Sequence, residues 1–474
     1  MPISNFDKLL TVDPSKDVPI YRQIYIRLQS AIAEGLLKPG DRITSARVLA
    51  KELGLARGTV VAAYDLLASE GYTQSRGQAG TIVTPGLLLP LPSTARPAPT
   101  TANQYDDSNL YSAKALPFQM GLPALDAFPR KTWTRLGARH LRAMQPADMD
   151  YPFPLGLYAL RNAIAAYLQV ARGISCTSHQ VIITSGYHDT LQLVVRALLE
   201  PADRVWVEDP GYPTTSLLLS RMGIKLVPVP VDDDGLVVSR GLQTAADARM
   251  AVVTPAHQCP LCLSLSLPRR MALLDWAARS NAWVVEDDYD GEYRYTGRPL
   301  PALKSLDRHG RVLYAGTFSK VMYPGLRLAY LVVPDSQVER FAQARKMSPA
   351  GIPEIGQAVL ASFINNGHFT RHIHRMRNLY AQRREATAAG LAQALGKHMF
   401  IQPQPGGMHL VLRLVDDGSD KELAARMREH GMYAQALSGW SVAPTRPGLL
   451  LGFTNIDSQE YARQLGERMR ALML

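Results

Sequence analysis

Cysteine is scarce: Cys176, Cys259 and Cys262 are the three in 474 residues. Three thiols cannot build a disulfide framework, which fits a reducing cytoplasm. No stretch approaches the roughly 18 uninterrupted apolar residues of a membrane span, so no transmembrane helix is expected. The opening MPISNFDKLLTVDPSKD lacks a basic start followed by a long apolar run and does not read as a secretory signal. Tandem repeats and long low-complexity tracts are also missing, which argues against repeat arrays and general disorder. Net charge is +11, which permits an anionic partner without proving one. Over residues 1–85, however, 10 Lys and Arg face 8 Asp and Glu, a net of only +2. Nucleic-acid binding by the N-terminal part must therefore rest on a motif and not on bulk charge.

A chain of 474 residues is too long for one core and predicts two or three domains. Residues 1–84 are dense in helical patterns. Proline, threonine, serine and alanine dominate 85–114, which suits an extended linker. From 115 to 474, apolar runs (QVIITSG, RVWVEDP, KLVPVPV, MAVVTPA, AWVVEDDYD, VLYAGTF, LRLAYLVV) alternate with helical patterns. Buried strands alternating with helices predict an α/β domain with a mostly parallel sheet.

In the N-terminal part, Ile20, Ile24, Leu28, Ala31 and Ile32 share one helical face. Ser45 is placed to cap a second helix that Gly54 ends, and RGTVVAAYDLLASEG forms a third. Two short helices across a tight turn have helix-turn-helix spacing, and YTQSRGQAGTIVT reads as a two-stranded wing. The stretches PIYRQIYIRLQSAI, GLLKPGDRIT, SARVLAKELG and ARGTVVAAYDLLASEGY, with the GQAGT wing, resemble the winged helix-turn-helix of the GntR family of bacterial regulators. The resemblance implies a mainly α DNA-binding domain over 1–84 whose third helix enters the major groove. It puts Arg57 and Thr59 within reach of base edges and phosphates. Arg47, Arg76 and the wing glycine Gly80 would meet the DNA backbone or minor groove. Thr44 stands where proline is usual, and Gly58 where a polar residue is usual, which removes one base contact.

The larger part carries chemistry in order. TSGYHDTLQL makes a strand-to-helix turn with Ser185, Gly186 and Tyr187. VEDPGYP ends a strand with Tyr212, VVEDDYD ends another with Asp287 and Tyr289, and TFSK brings Ser319 and Lys320 directly after VLYAG. Arg327 follows seven residues on. This order resembles the fold type I aminotransferases, the aspartate aminotransferase group, over most of 115–474. The resemblance implies a pyridoxal 5′-phosphate (PLP) dependent transferase fold with a small C-terminal α+β subdomain over about 340–474. Lys320 would form the Schiff base, Asp287 would pair with the pyridinium nitrogen, Tyr289 with the ring hydroxyl, and Tyr212 would stack. Arg327, Ser319, Ser185, Gly186 and Tyr187 would hold the phosphate.

A GntR head fused to such a domain resembles the MocR-like regulators. That group implies transcriptional control of a double-stranded DNA operator, with PLP or an adduct of an amine or amino acid as the signal. It also implies a homodimer in which one chain's head lies over the other's large domain, head-to-tail. An active aminotransferase with a DNA-binding appendage is the alternative, but a free-standing enzyme has no use for a sequence-reading module.

Three features depart or stay open. HQCPLCLSLS stands where the group usually has HQ, an aromatic, then Pro-Thr-Gly. Cys259-x-x-Cys262 lacks the second ligand pair of a zinc site, so no metal is expected, while a redox role stays open. The arginine that holds a substrate carboxylate in aminotransferases is not where it is usual, because GLLLGFTN begins with leucines. Arg446 is the candidate for an effector carboxylate, with Arg413 nearby. Finally, Arg371, Arg375, Arg377, Arg383 and Arg384 in GHFTRHIHRMRNLYAQRR read as one face of a docked helix, or else as auxiliary phosphate contacts.

Overall fold

The computed structural model describes residues 12–15, 17–77, 80–87, 115–297, 301–347, 351–415 and 418–473. Most of the expected 85–114 linker therefore lies outside the described residues. The chain separates into two compact units, Met1–Tyr111 and Ser112–Leu474.

The first unit has helices Ile20–Ala33, Ala46–Leu53 and Arg57–Ser69, then an antiparallel ribbon of Thr73–Ser75 and Thr81–Val83. Ile24, Leu28, Ala31 and Ile32 are buried, as their spacing predicts, and Ile20 is half-buried at the helix start. They pack with Leu49, Val60, Ala63, Leu67 and Val83 into one core. The Ser45 hydroxyl accepts the Val48 amide at 3.4 Å, and Gly54 ends the helix at φ +65, a left-handed conformation glycine adopts without a Cβ clash.

The second unit holds an eight-stranded sheet. Its order is Val181–Thr184, Ala329–Val332, Val312–Thr317, Trp283–Asp288, Met250–Val253, Arg204–Asp209, Lys225–Asp232 and Gly235–Leu236. The five strands from Val312–Thr317 to Lys225–Asp232 pair in parallel. Ala329–Val332 runs antiparallel to both its neighbours, and Gly235–Leu236 to its one. The expected mostly parallel sheet thus forms, with two reversed strands. Val181–Thr184, Met250–Val253 and Trp283–Asp288 are buried along their whole length, because apolar cores cover both faces. Two reversals leave Val181–Thr184 pointing with the parallel group. Thr184, Asp209, Asp288 and Thr317 therefore all finish at one edge, where open α/β sheets bind ligands.

A second, antiparallel sheet is ordered Met399–Ile401, His409–Leu414, Gly448–Gly452 and Gln435–Ala436. Its side chains alternate between faces. Leu410, Leu412, Leu449 and Leu451 enter the main core, while Val411 and Leu450 join Leu261 and Leu437 in a separate apolar cluster. The arginines of helix His368–Leu395 are mostly spent within the chain. Arg375 donates to the Ala127 carbonyl, Arg377 to Glu292, Arg384 to Gln404, and Arg383 pairs with Asp126 at 2.6 Å. The docked-helix reading accounts for these four, while Arg371 stays exposed beside His368. Among the described residues no helix is long and apolar enough to cross a membrane.

Candidate cofactor site and DNA-reading surface

At the common strand edge lies a cavity of about 410 Å³. Gly186, Tyr187, Tyr212, Asp287, Tyr289, Ser319, Lys320 and Arg327 all line it. Their sources span about 140 positions, and the sheet order is what gathers them. Ser185 is the one predicted cofactor contact that does not line the wall. Its amide is instead turned toward the Asp189 carboxylate, 2.8 Å away.

The VVEDDYD stretch shows how a strand end sorts four carboxylates. Glu286 accepts the amides of Leu303 and Lys304, both at 2.8 Å. Asp288 lies on the same strand face and takes the Arg172 guanidinium and the Tyr314 hydroxyl. Asp290 pairs with His257 at 3.0 Å. Asp287 alternates to the cavity side, where among the described residues it makes no hydrogen bond or ion pair. Burial, with Glu208 and Asp290 as like-charged neighbours, pushes its carboxyl up to about 8, and Lys320 only partly offsets this. Such a carboxylate lacks a cation.

Lys320 Nζ donates to the Gly121 carbonyl at 2.9 Å. Burial pushes its ammonium below the ordinary lysine value, against the pull of Cys259, Asp290 and Asp287. Losing a proton is what an imine-forming lysine requires. Gly121 is needed beside it: its φ is +67, and a Cβ there would collide with Nζ. The Tyr289 hydroxyl is buried without a hydrogen-bond partner, the Cys259 thiol being its neighbour. Burial pushes its pKa well up, so it keeps the proton it would donate.

At the other end, helix Tyr187–Leu198 starts at Gly186, whose φ of +128 excludes other residues without strain. A Cβ at Gly186 would stand 3.1 Å from the Arg327 guanidinium, so the arginine closes onto the helix start. Amides at a helix N-terminus plus a guanidinium suit a phosphate. Above the cavity, the Tyr212 ring lies between those of Tyr187 and Trp440, at 5.9 and 5.7 Å.

Reading by motif missed Met120, Gly121, His188, Thr317, Met408, His409, Tyr433, Gln435 and Trp440 on the wall. Thr317 had a signal, being the first residue of TFSK. His188 had one too, directly after Tyr187 in TSGYHDTLQL, while the others sit singly in unremarkable contexts. Asp209 holds Trp440's loop in place: its carboxylate accepts from Ser441 Oγ and the amides of Val442 and Ala443 at 2.8, 2.8 and 3.0 Å.

Arg446 is not on the wall. It is exposed, and its guanidinium lies 5.4 Å from the centre of the Phe400 ring. Arg413 donates to Gln402 and to the Arg446 carbonyl. Cys259 lines the cavity, while Cys262 is buried with Sγ 3.4 Å from His409 Nε2. Burial pushes both thiols well above the ordinary value, away from the reactive thiolate. Among the described residues no group of three or more His, Cys, Asp or Glu is arranged to hold a metal.

In the first unit, Arg57 opens the third helix, Arg47 sits in the first turn of the second, and Arg76 lies in the wing, all three exposed. Thr59 is half-buried, its amide on the Ala56 carbonyl. Gly80 has φ +87 and lies under the Arg42 guanidinium, 3.0 Å from where a Cβ would stand. Arg42 is a further exposed cation on this surface. Among the described residues none of these four arginines is in an ion pair.

Comparison with known proteins agrees with both halves. Residues 20–83 match the bacterial regulatory proteins of the gntR family, and 123–450 match aminotransferase class I and II. The probable rhizopine catabolism regulatory protein MocR of Rhizobium meliloti is 36% identical over 95% of this chain and 93% of its own length. The pyridoxine biosynthesis regulator PdxR of Corynebacterium glutamicum is 33% identical over 99% of each chain. Among solved structures, the kynurenine aminotransferase of Pyrococcus horikoshii superposes with a TM-score of 0.70 at 25% identity, covering 77% of this chain and 92% of its own. The two halves define a DNA-binding transcriptional regulator with an aminotransferase-like, fold type I domain. The chain belongs to the MocR-like group of the GntR family. The cofactor of that domain is pyridoxal 5′-phosphate, and the residues present fit it. The partnerless Asp287, the orphaned Tyr289 hydroxyl and the cradle that a Cβ at Gly186 would fill are each what the group would satisfy.

Proposed function

We propose that the large domain senses pyridoxal phosphate, or a primary amine that reaches it, through Lys320, and thereby sets operator affinity. The single observation that carries this is the set of half-buried Lys320, buried Asp287 and Tyr289 with its hydroxyl buried, all around one cavity. Asp287 would hold the pyridinium nitrogen, Tyr289 the ring hydroxyl, and Arg327, Ser319, Gly186 and Tyr187 the phosphate, with Tyr212 covering the ring. When bound, the cofactor would supply an aldehyde carbon with which a primary amine, that of Lys320 or of a ligand, condenses with loss of water.

The chain's residues do the rest. Burial keeps Lys320 poised to lose its proton, and Asp287 supplies the negative charge that keeps a ring proton in place. The head reads DNA through Arg57 and Thr59, with Arg47, Arg76 and Gly80 at the sugar–phosphate backbone or minor groove. A homodimer, arranged head-to-tail, would match two operator half-sites. Regulation requires the ligand to favour one head arrangement, since equal affinity for both shifts nothing. The test is a pair of titrations on the full chain: cofactor absorbance and operator affinity, each against pyridoxal phosphate. Saturation of the first that changes the second supports the reading. A visible band with unchanged operator affinity sinks it, and rapid conversion of amino acid to keto acid would point to an enzyme.

A further inference from the structure

The charges on the cavity wall decide what kind of amine fits. Among its described lining residues, Arg327 is the one guanidinium and Lys320 the one ammonium. Arg327 is committed beside Gly186 at the helix start. The rest of the described wall, which includes Met120, His188, Met408, His409, Tyr433, Gln435 and Trp440, carries no lysine or arginine.

The antiparallel sheet behind that wall explains why. Its register sets His409 opposite Gly452, Val411 opposite Leu450, and Arg413 opposite Gly448. Gln435 lies on the other side of Leu450. These residues share one sheet face, by the two-residue alternation. His409 and Gln435 line the cavity, so Leu450 is the position between them where a long cationic side chain would reach it. Leucine stands there, fully buried with Leu261, Val411 and Leu437, and the cavity residues Met120 and Trp440 pack on that cluster. Arg413 shares the face but is two residues, roughly 6–7 Å, beyond Val411, and its Nε and Nη1 donate to Gln402 and the Arg446 carbonyl. His409 adds no charge: its Nε2 lies 2.7 Å from the Pro260 carbonyl, and burial pushes its pKa down. A carboxylate brought here would lose its water against leucine, methionine and tryptophan with no cation to replace it.

We infer that the site takes a primary amine whose remainder is uncharged, and that Leu450 is the residue that selects against a carboxylate. This rests on Lys320 being where ligand meets cofactor. The experiment uses the PLP-loaded full chain and amines paired to differ by one carboxylate: ethylamine against alanine, and 2-phenylethylamine against phenylalanine. The readout is the half-saturation of the change in cofactor absorbance, with operator affinity followed in parallel. The expected result is at least a tenfold advantage for the amine in each pair, estimated as the scale of one unpaired buried charge. A Leu450→Arg variant should reverse the preference while Leu450→Met keeps it, both with unchanged cofactor absorbance. A smaller advantage, or a preference for the amino acid in the wild type, overturns the inference, including the case where a residue of a second copy supplies the cation. No response to either member of a pair while the visible band is present also overturns it, yet leaves sensing of the cofactor itself standing. Absence of the band at PLP saturation overturns both readings.

Discussion

The head and the large domain solve recognition in opposite ways. The head offers exposed guanidiniums, Arg42, Arg47, Arg57 and Arg76, on a small core. The large domain buries its working groups and leaves them electrostatically unfinished: a carboxyl pushed up to about 8, a lysine pushed down, a phenol without a partner. A polyanion arrives with its own field and needs only a shaped, positive surface. A small cofactor must be completed from inside, so its site stores a mismatch that only the ligand relieves.

That contrast can be broken experimentally. The largest effect expected is from Lys320→Ala, which should abolish the visible band of lysine-bound cofactor while the isolated-head property, non-specific DNA binding, is retained; spectra and gel shifts of one preparation check both. Next, Arg57→Ala should weaken specific operator binding by about 1–3 kcal/mol. Arg76→Ala should act more uniformly across sequences and lower the salt-dependence slope by about one unit.

A further expectation concerns pH. Asp287 is raised from its ordinary 3.8 to about 8, and Glu208 from 4.5 to about 7. A carboxyl whose folded value lies above its unfolded one keeps its proton while the unfolded chain ionises, so folding stability is lost as pH rises across that window. Through Asp287 and Glu208 the cofactor-free protein should lose stability from pH 5 to pH 8, while His372 and His409, pushed down by burial, act in the opposite sense up to the ordinary histidine value. Asp287→Asn should reduce the drop, and bound PLP should as well, since a cation opposite Asp287 draws its pKa down. An unchanged slope in the variant would count against the buried-charge account. The smallest effect expected is from Cys262→Ser: wild type and variant should keep the same operator binding through an oxidation series, because a buried thiol pushed upward is a poor redox target, and a response of the wild type that the variant lacks would count against this.

Legibility in the sequence followed contiguity. Lys320, Asp287, Tyr289 and Tyr212 could be found because each terminates a strand-like run, and strand ends of a parallel sheet gather at one edge. The head was legible for the same reason: its cap, turn and wing follow one another within about 65 residues. Gly121, His409, Tyr433 and Trp440 could not be found, since only the folded sheets bring them to Lys320. Ser185 reads as a phosphate contact because it precedes Gly186, but the first-turn Asp189 accepts its amide hydrogen. Arg446 is near GLLLGFTN in sequence, yet it lies outside that strand's paired register and stacks over Phe400 instead.

The Asp209 carboxylate has a consequence beyond holding a loop. Three donors from consecutive residues converge on it, and the Gly211 amide binds the Trp440 carbonyl at 3.0 Å. The roof of the cavity is thus latched to the sheet before anything enters. Little ordering is left for a guest of the right girth to impose. A bulkier one must unfasten several bonds together, so tolerance to size should end in a step and not a slope.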